Sequence, residues 1–217
     1  MRITASVARI VAALMLLCAP ALAQRRGSPG DFDFYVLALS WSPGFCDLEG
    51  DRKGRGQCDS GSGAGFVLHG LWPQYERGYP SDCGFGQQPS RIAMEAARGV
   101  YPDLGLARYE WRKHGTCSGL SPQGYFNAAR DALRQVQIPS GFSRLRGEQR
   151  MTPMAIERAF VAANPGLRAD MIGVSCQRGV LQEVRICLDR NLKGFRMCPE
   201  VGRRDCRAPE ISVPAPR

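Results

Sequence analysis

The sequence predicts an α+β fold, a mainly antiparallel central sheet with helices packed on it and disulfides stapling it. Three observations carry this. β-prone runs stand near the start and toward the end of the chain. Between them lie segments with helix-cap signals, and no repeat or convincing domain boundary interrupts the order. The chain also holds nine cysteines, unusual for a protein kept in a reducing compartment.

The first strand is expected over residues 32–41 (FDFYVLALSW), a β-prone run ended by Ser42-Pro43-Gly44. Residues 49–65 are rich in Gly, Ser and charge and read as a loop braced by Cys46 and Cys58. A second strand is expected over residues 66–71 (FVLHGL), with His69 at its exit, followed by a loop over residues 75–89 that carries Cys83. Ser90 is placed to cap a helix to about Gly99, and Pro102 bars its continuation. A second helix is expected from about 106 to 117. Ser121-Pro122 and Thr152-Pro153 are each a cap followed by proline at the first helical position; they open helices ending near Val136 and before Asn164-Pro165-Gly166. Toward the end, residues 171–176 and a strand from Val180 are expected to form a hairpin through Gln177-Arg178-Gly179. In that last strand Val180, Val184, Ile186 and Leu188 alternate with Leu181, Glu183, Arg185 and Cys187, the pattern of a half-buried strand.

The first 23 residues read as a signal peptide. Arg2 and Arg9 form the basic region, residues 10–18 are apolar but too few to span a bilayer, and Ala21-Leu22-Ala23 is a small-x-small cleavage site. The mature chain is then expected to begin near Gln24, with a flexible arm over residues 24–31 and one catalytic domain over residues 24–217. Loss of Arg2 and Arg9 lowers the net charge from +9 to +7, a basic balance that suits a polyanionic partner. Loss of Cys18 leaves eight cysteines, an even count that reads as a disulfide framework in an exported protein. No Cys-x-x-Cys pair occurs and neither histidine has zinc-finger spacing, so no metal or other cofactor is expected.

The mature chain holds only two histidines. His69 is followed by Gly70 and, two residues on, by Trp72, whose flat ring can take a base or a sugar; the plainer reading is a core tryptophan beside a satisfied histidine. On a helix, Glu110, Lys113, His114 and Cys117 would share one face. An exposed ion-paired face would account for those charges but not for the cysteine beneath them. Two imidazoles, one neutral and one protonated, are what cleavage of RNA by its own 2′-hydroxyl requires. Lys113 would stabilise the charge of the transition state and Glu110 would orient an imidazole or tune its pKa.

The segments His69-Gly70-Leu71-Trp72-Pro73 and Glu110-Trp111-Arg112-Lys113-His114-Gly115-Thr116-Cys117 resemble the two active-site segments of the T2 ribonuclease family. The resemblance extends from Tyr35 to Cys206. It implies cleavage of single-stranded RNA through a 2′,3′-cyclic phosphate to a 3′-phosphate end, with low base specificity. It implies His114 as general base, His69 as general acid, Glu110 and Lys113 on the pentacovalent phosphate, and Trp72 at the base or phosphate site. It also implies the pairings Cys46–Cys58, Cys83–Cys117, Cys176–Cys206 and Cys187–Cys198. Two positions depart from many members: Tyr109 stands where a third histidine assists phosphate binding, and Gln74 where some have an acidic residue. The expected protein is a monomer of the periplasm or the medium that acts on RNA and not on membranes. The competing readings are a non-catalytic basic scaffold that holds RNA or a partner and a metal-dependent nuclease or phosphatase; activity that EDTA abolishes and a divalent ion restores would favour the latter.

Overall fold

A computed structural model of the chain describes residues 27–50, 56–84, 88–203 and 205–217. The expected signal peptide and the first residues of the arm lie outside them. Six strands form one sheet: β1 Phe34–Trp41, β2 Phe66–Gln74, β3 Gln149–Met151, β4 Ile172–Gln177, β5 Val180–Asp189 and β6 Ile211–Val213. β1 pairs with β2 on one side and β5 on the other, β4 pairs with β5, and β3 pairs with β6, all antiparallel. A single parallel bridge, Val180 to Ser212, joins β6 to the start of β5. The β4–β5 hairpin turns through Arg178 and Gly179, both at positive φ, which gives the two strands the twist they need to pair closely.

The helices are α1 Ser42–Phe45, α2 Arg91–Ala97, α3 Leu104–Lys113, α4 Pro122–Gln135, α5 Ser140–Ser143, α6 Pro153–Ala163 and α7 Pro199–Gly202. The expected caps operate: Ser90, Ser121 and Thr152 each accept a backbone N–H from three residues on. α3 starts earlier than the pattern suggested because Asp103 caps it, accepting from Leu106 N at 2.8 Å.

The sheet divides the molecule. On one face, Tyr35, Leu37, Leu39 and Trp41 of β1 join Leu68 and Leu71 of β2 and Leu181, Val184, Ile186 and Leu188 of β5 in the main core. Trp111 of α3, Tyr125, Phe126 and Ala129 of α4, and Ile156 and Phe160 of α6 cover it. The other face holds a smaller apolar group, Phe34, Val36, Cys187, Cys198 and Val201, with Trp72 beside it.

Four expectations need correction. His69 is not at the exit of its strand. β2 continues to Gln74, and His69 is the extra residue of a bulge: Leu39 pairs with Leu68 and Ala38 with Gly70, leaving His69 without a partner on β1. β5 is not a simple alternation. A second bulge at Gln182, between the pairs Ser175–Glu183 and Cys176–Leu181, turns Leu181 onto the face of Val184, and most of the strand is buried on both sides. Cys117 does not share an α-helical face with Glu110, because α3 ends at Lys113 and residues 115–117 form a 3-10 turn. The arm, where described, is pinned rather than free. Gly30 N donates to Cys117 O at 2.9 Å, and Arg190 donates to Gly30 O and Phe32 O.

Candidate active site

The site lies on the second face of the sheet, where the bulges re-aim side chains of β2 and β5 toward the C-terminal end of α3. His69 Nδ1 donates to Glu183 Oε1 across the two strands. Its other ring nitrogen faces Glu110 Oε1 at 3.6 Å. Glu110 is 1% exposed, and its second oxygen accepts the Trp72 indole N–H at 2.7 Å. Gly70 makes this approach possible, since a Cβ there would run into the Glu110 carboxylate and the Trp72 indole. The Trp72 ring packs against both imidazoles, its centroid 5.2 Å from that of His69 and 5.3 Å from that of His114.

His114 caps α3, donating its backbone N–H to Glu110 O. The turn that follows is clamped. The Cys83–Cys117 disulfide joins it to the preceding loop, Cys83 N donates to Thr116 Oγ1 at 3.1 Å, and Thr116 Oγ1 donates to Arg112 O at 3.1 Å. Gly115 allows Trp111 and Tyr125 to close over the turn, as a Cβ there would meet both rings. Asp82, at a φ of 52°, donates its N–H to Lys113 O and holds the Lys113 ammonium at 2.7 Å. The other disulfides are Cys46–Cys58, Cys176–Cys206 and, nested within the last, Cys187–Cys198.

These surroundings set the charges. Burial disfavours an imidazolium at His69, but the hydrogen bond and charge of Glu183, with the charge of Glu110, outweigh it and raise its pKa above 6.5. Burial works against the Glu183 carboxylate too, yet His69 and Arg185 hold its pKa down to about 2. His114 has no such partner. Burial, with the positive charges of His69 and Lys113, lowers its pKa to about 3, and its Nδ1 is buried without a hydrogen-bond partner. Burial raises Glu110 to about 7.

Two clefts open on this group. The larger, about 700 Å³, is walled by His69, Glu183, Gln182 and Ser40. The smaller, about 280 Å³, is walled by Trp72, Gln74, Tyr79, Lys113 and His114. Tyr109, 45% exposed, and Arg185 belong to both. All the expected site residues are therefore gathered here, with Gln74 and Tyr109 on the walls. Sequence reasoning missed Glu183, Arg185 and Asp82. The only signal for the first two was a pair of charged residues in the middle of a largely apolar strand.

Residues 32–198 match the model of the Ribonuclease T2 family. The chain belongs to that family. A ribonuclease of Aeromonas hydrophila is 38% identical over 189 residues, 84% of this chain and 85% of the relative. Ribonuclease 1 of Arabidopsis thaliana is 26% identical over 228 residues, covering 93% and 94%. Among solved structures, an RNase-related protein from Calystegia sepium matches with a TM-score of 0.64 at 25% identity, over 86% of this chain and 98% of its own. RNase NT, solved with 5′-AMP, matches with a TM-score of 0.62 at 25% identity, over 85% and 98%. The family and its named ribonucleases make this chain a T2-type endoribonuclease. No described helix is long and apolar enough to cross a membrane.

Proposed function

We propose that this T2 ribonuclease cleaves single-stranded RNA by transfer to the neighbouring 2′-hydroxyl, with His114 as base and His69 as acid. One observation carries the reading: the two imidazoles flank one indole, and their surroundings make His114 neutral and His69 cationic over the same pH range. His114 takes the proton of the 2′-OH, whose oxygen attacks phosphorus. The bond from phosphorus to the 5′-oxygen breaks, and His69 gives that oxygen its proton. The 2′,3′-cyclic phosphate then opens by the reverse assignment: His69 takes a proton from water, the water oxygen adds to phosphorus, and His114 returns a proton to the departing 2′-oxygen. A 3′-phosphate remains.

Glu183 fixes the ring of His69 and keeps it charged. Lys113 acts on the phosphate as its charge grows, and Glu110, kept protonated by burial below about pH 7, can donate a hydrogen bond to it. Trp72, Tyr109 and Gln74 line the path of the substrate, and their stacking and amide contacts accept any base, which supports low base specificity. Residues 1–23 are removed on export, and residues 24–217 act as one monomeric catalytic domain in the periplasm or the medium. The test is a defined diribonucleotide incubated in EDTA. The expected result is a 2′,3′-cyclic phosphate that matures to a 3′-phosphate, with the deoxy analogue untouched. Cleavage of the deoxy analogue would refute the mechanism.

A further inference from the structure

Arg185 follows Glu183 by two residues on β5, on the same face of the sheet. Its Nε and Nη2 both donate to Glu183 Oε2, at 2.9 and 2.7 Å. That occupies one edge of the guanidinium. Nη1 has no acceptor among the described residues, and the group stands 5.5 Å from the centroid of the Trp72 ring, which packs against both histidines. The Arg185 side chain is 26% exposed, and it borders both clefts, as does the uncharged Tyr109.

We infer that Arg185 binds the scissile phosphate, presenting the free edge of its guanidinium where the two clefts meet; this rests on the two-histidine reading above. The charges around the site favour it. Around the two imidazoles the carboxylates are Glu183, Glu110 and Asp82, and Glu49, Asp103 and Glu200 add negative charge along the cleft walls; the cations other than Arg185 are His69 and Lys113. Lys113 is already matched by Asp82 at 2.7 Å, and His69 by Glu183. Without Arg185 the clefts would carry a still larger negative excess and would repel the phosphodiester they must bind. Arginine suits the task because its fork of five N–H donors can serve a carboxylate on one edge and a phosphate on the other. Tyr109, which also lines both clefts, can add a neutral hydrogen bond but no charge.

The test uses Arg185→Gln, Arg185→Lys and the double variant Glu183→Gln/Arg185→Gln in the full mature enzyme. Three quantities are measured: kcat and KM on a diribonucleotide, the inhibition constant of inorganic phosphate, and the dependence of kcat/KM on salt. Arg185→Gln is expected to weaken phosphate inhibition on the order of tenfold, as loss of one charge-assisted hydrogen bond would. It should also flatten the salt dependence by roughly one phosphate contact. Arg185→Lys should recover part of both. The double variant should stay as weak as Arg185→Gln, because the contact is gone whether or not Glu183 is charged. The inference is overturned if phosphate inhibition is unchanged in Arg185→Gln and only the pH profile moves, which would make Arg185 a mere prop for Glu183. It is equally overturned if the double variant regains normal phosphate inhibition, since the effect would then come from an uncovered carboxylate. Failure of the underlying reading looks different: His69→Phe or His114→Phe would keep normal turnover, whatever the Arg185 variants do.

Discussion

His69 and His114 share an aromatic wall but not an electrostatic one. Glu183, on a strand that reaches His69 through β1, fixes a proton on His69, whereas His114 faces the cations His69 and Lys113 with its Nδ1 unpartnered. The base must be neutral and the acid charged, so kcat/KM should rise through about pH 3 and fall only above pH 6.5, on the alkaline side of an ordinary imidazole. These limbs belong to the coupled pair, so the check is how they move. Glu183→Gln removes the charge that raises His69; the alkaline limb should shift to lower pH while the acidic limb stays. A shift of the acidic limb alone would reverse the assignment. Replacing either histidine with Phe should reduce kcat by about 10²–10⁴ with the circular dichroism spectrum unchanged.

At the scale of elements, two bulges and one clamped helix end build the site. The spacing of Phe66, Leu68 and Leu71, three residues on the core face with an extra step before the last, records the His69 bulge in the sequence. It becomes readable only once β1 supplies the partner register. The cap signals of α2, α4 and α6 were legible because capping is local: a hydroxyl and an N–H three residues on suffice. The end of α3 was not, since Gly115, Trp111 and Tyr125 decide it by packing. Glu183 escaped for the same reason, as its partner lies 114 residues away. The clamp on α3 can be tested directly. Replacing Cys83 and Cys117 by Ala should lower stability by about 2–4 kcal/mol in thermal unfolding and reduce kcat as well, because the turn holding His114 loosens. Lost stability with full kcat at low temperature would mean that the hydrogen bonds of Thr116 alone hold the turn.

For the whole molecule, the excess of positive charge and the grouping of chemistry on one sheet face act together. With residues 1–23 removed as proposed, a net charge of +7 would attract a polyanion from a distance, and contacts to phosphate would then hold it. Cleavage of a long RNA should therefore slow with added salt more steeply than cleavage of a dinucleotide, which touches fewer cations. Equal salt dependence for both would confine the electrostatics to the site itself. The main core and the candidate site also occupy opposite faces of one sheet, which would make stability and turnover separable under selection. Substitutions such as Leu39→Val would move the melting temperature and leave turnover alone, so the enzyme has room to drift in stability without losing activity. α3 is where that independence ends. It carries Glu110 and Trp111 side by side, one toward the chemistry and one into the core, so a single helix is where heritable change in robustness and change in rate must be traded against each other.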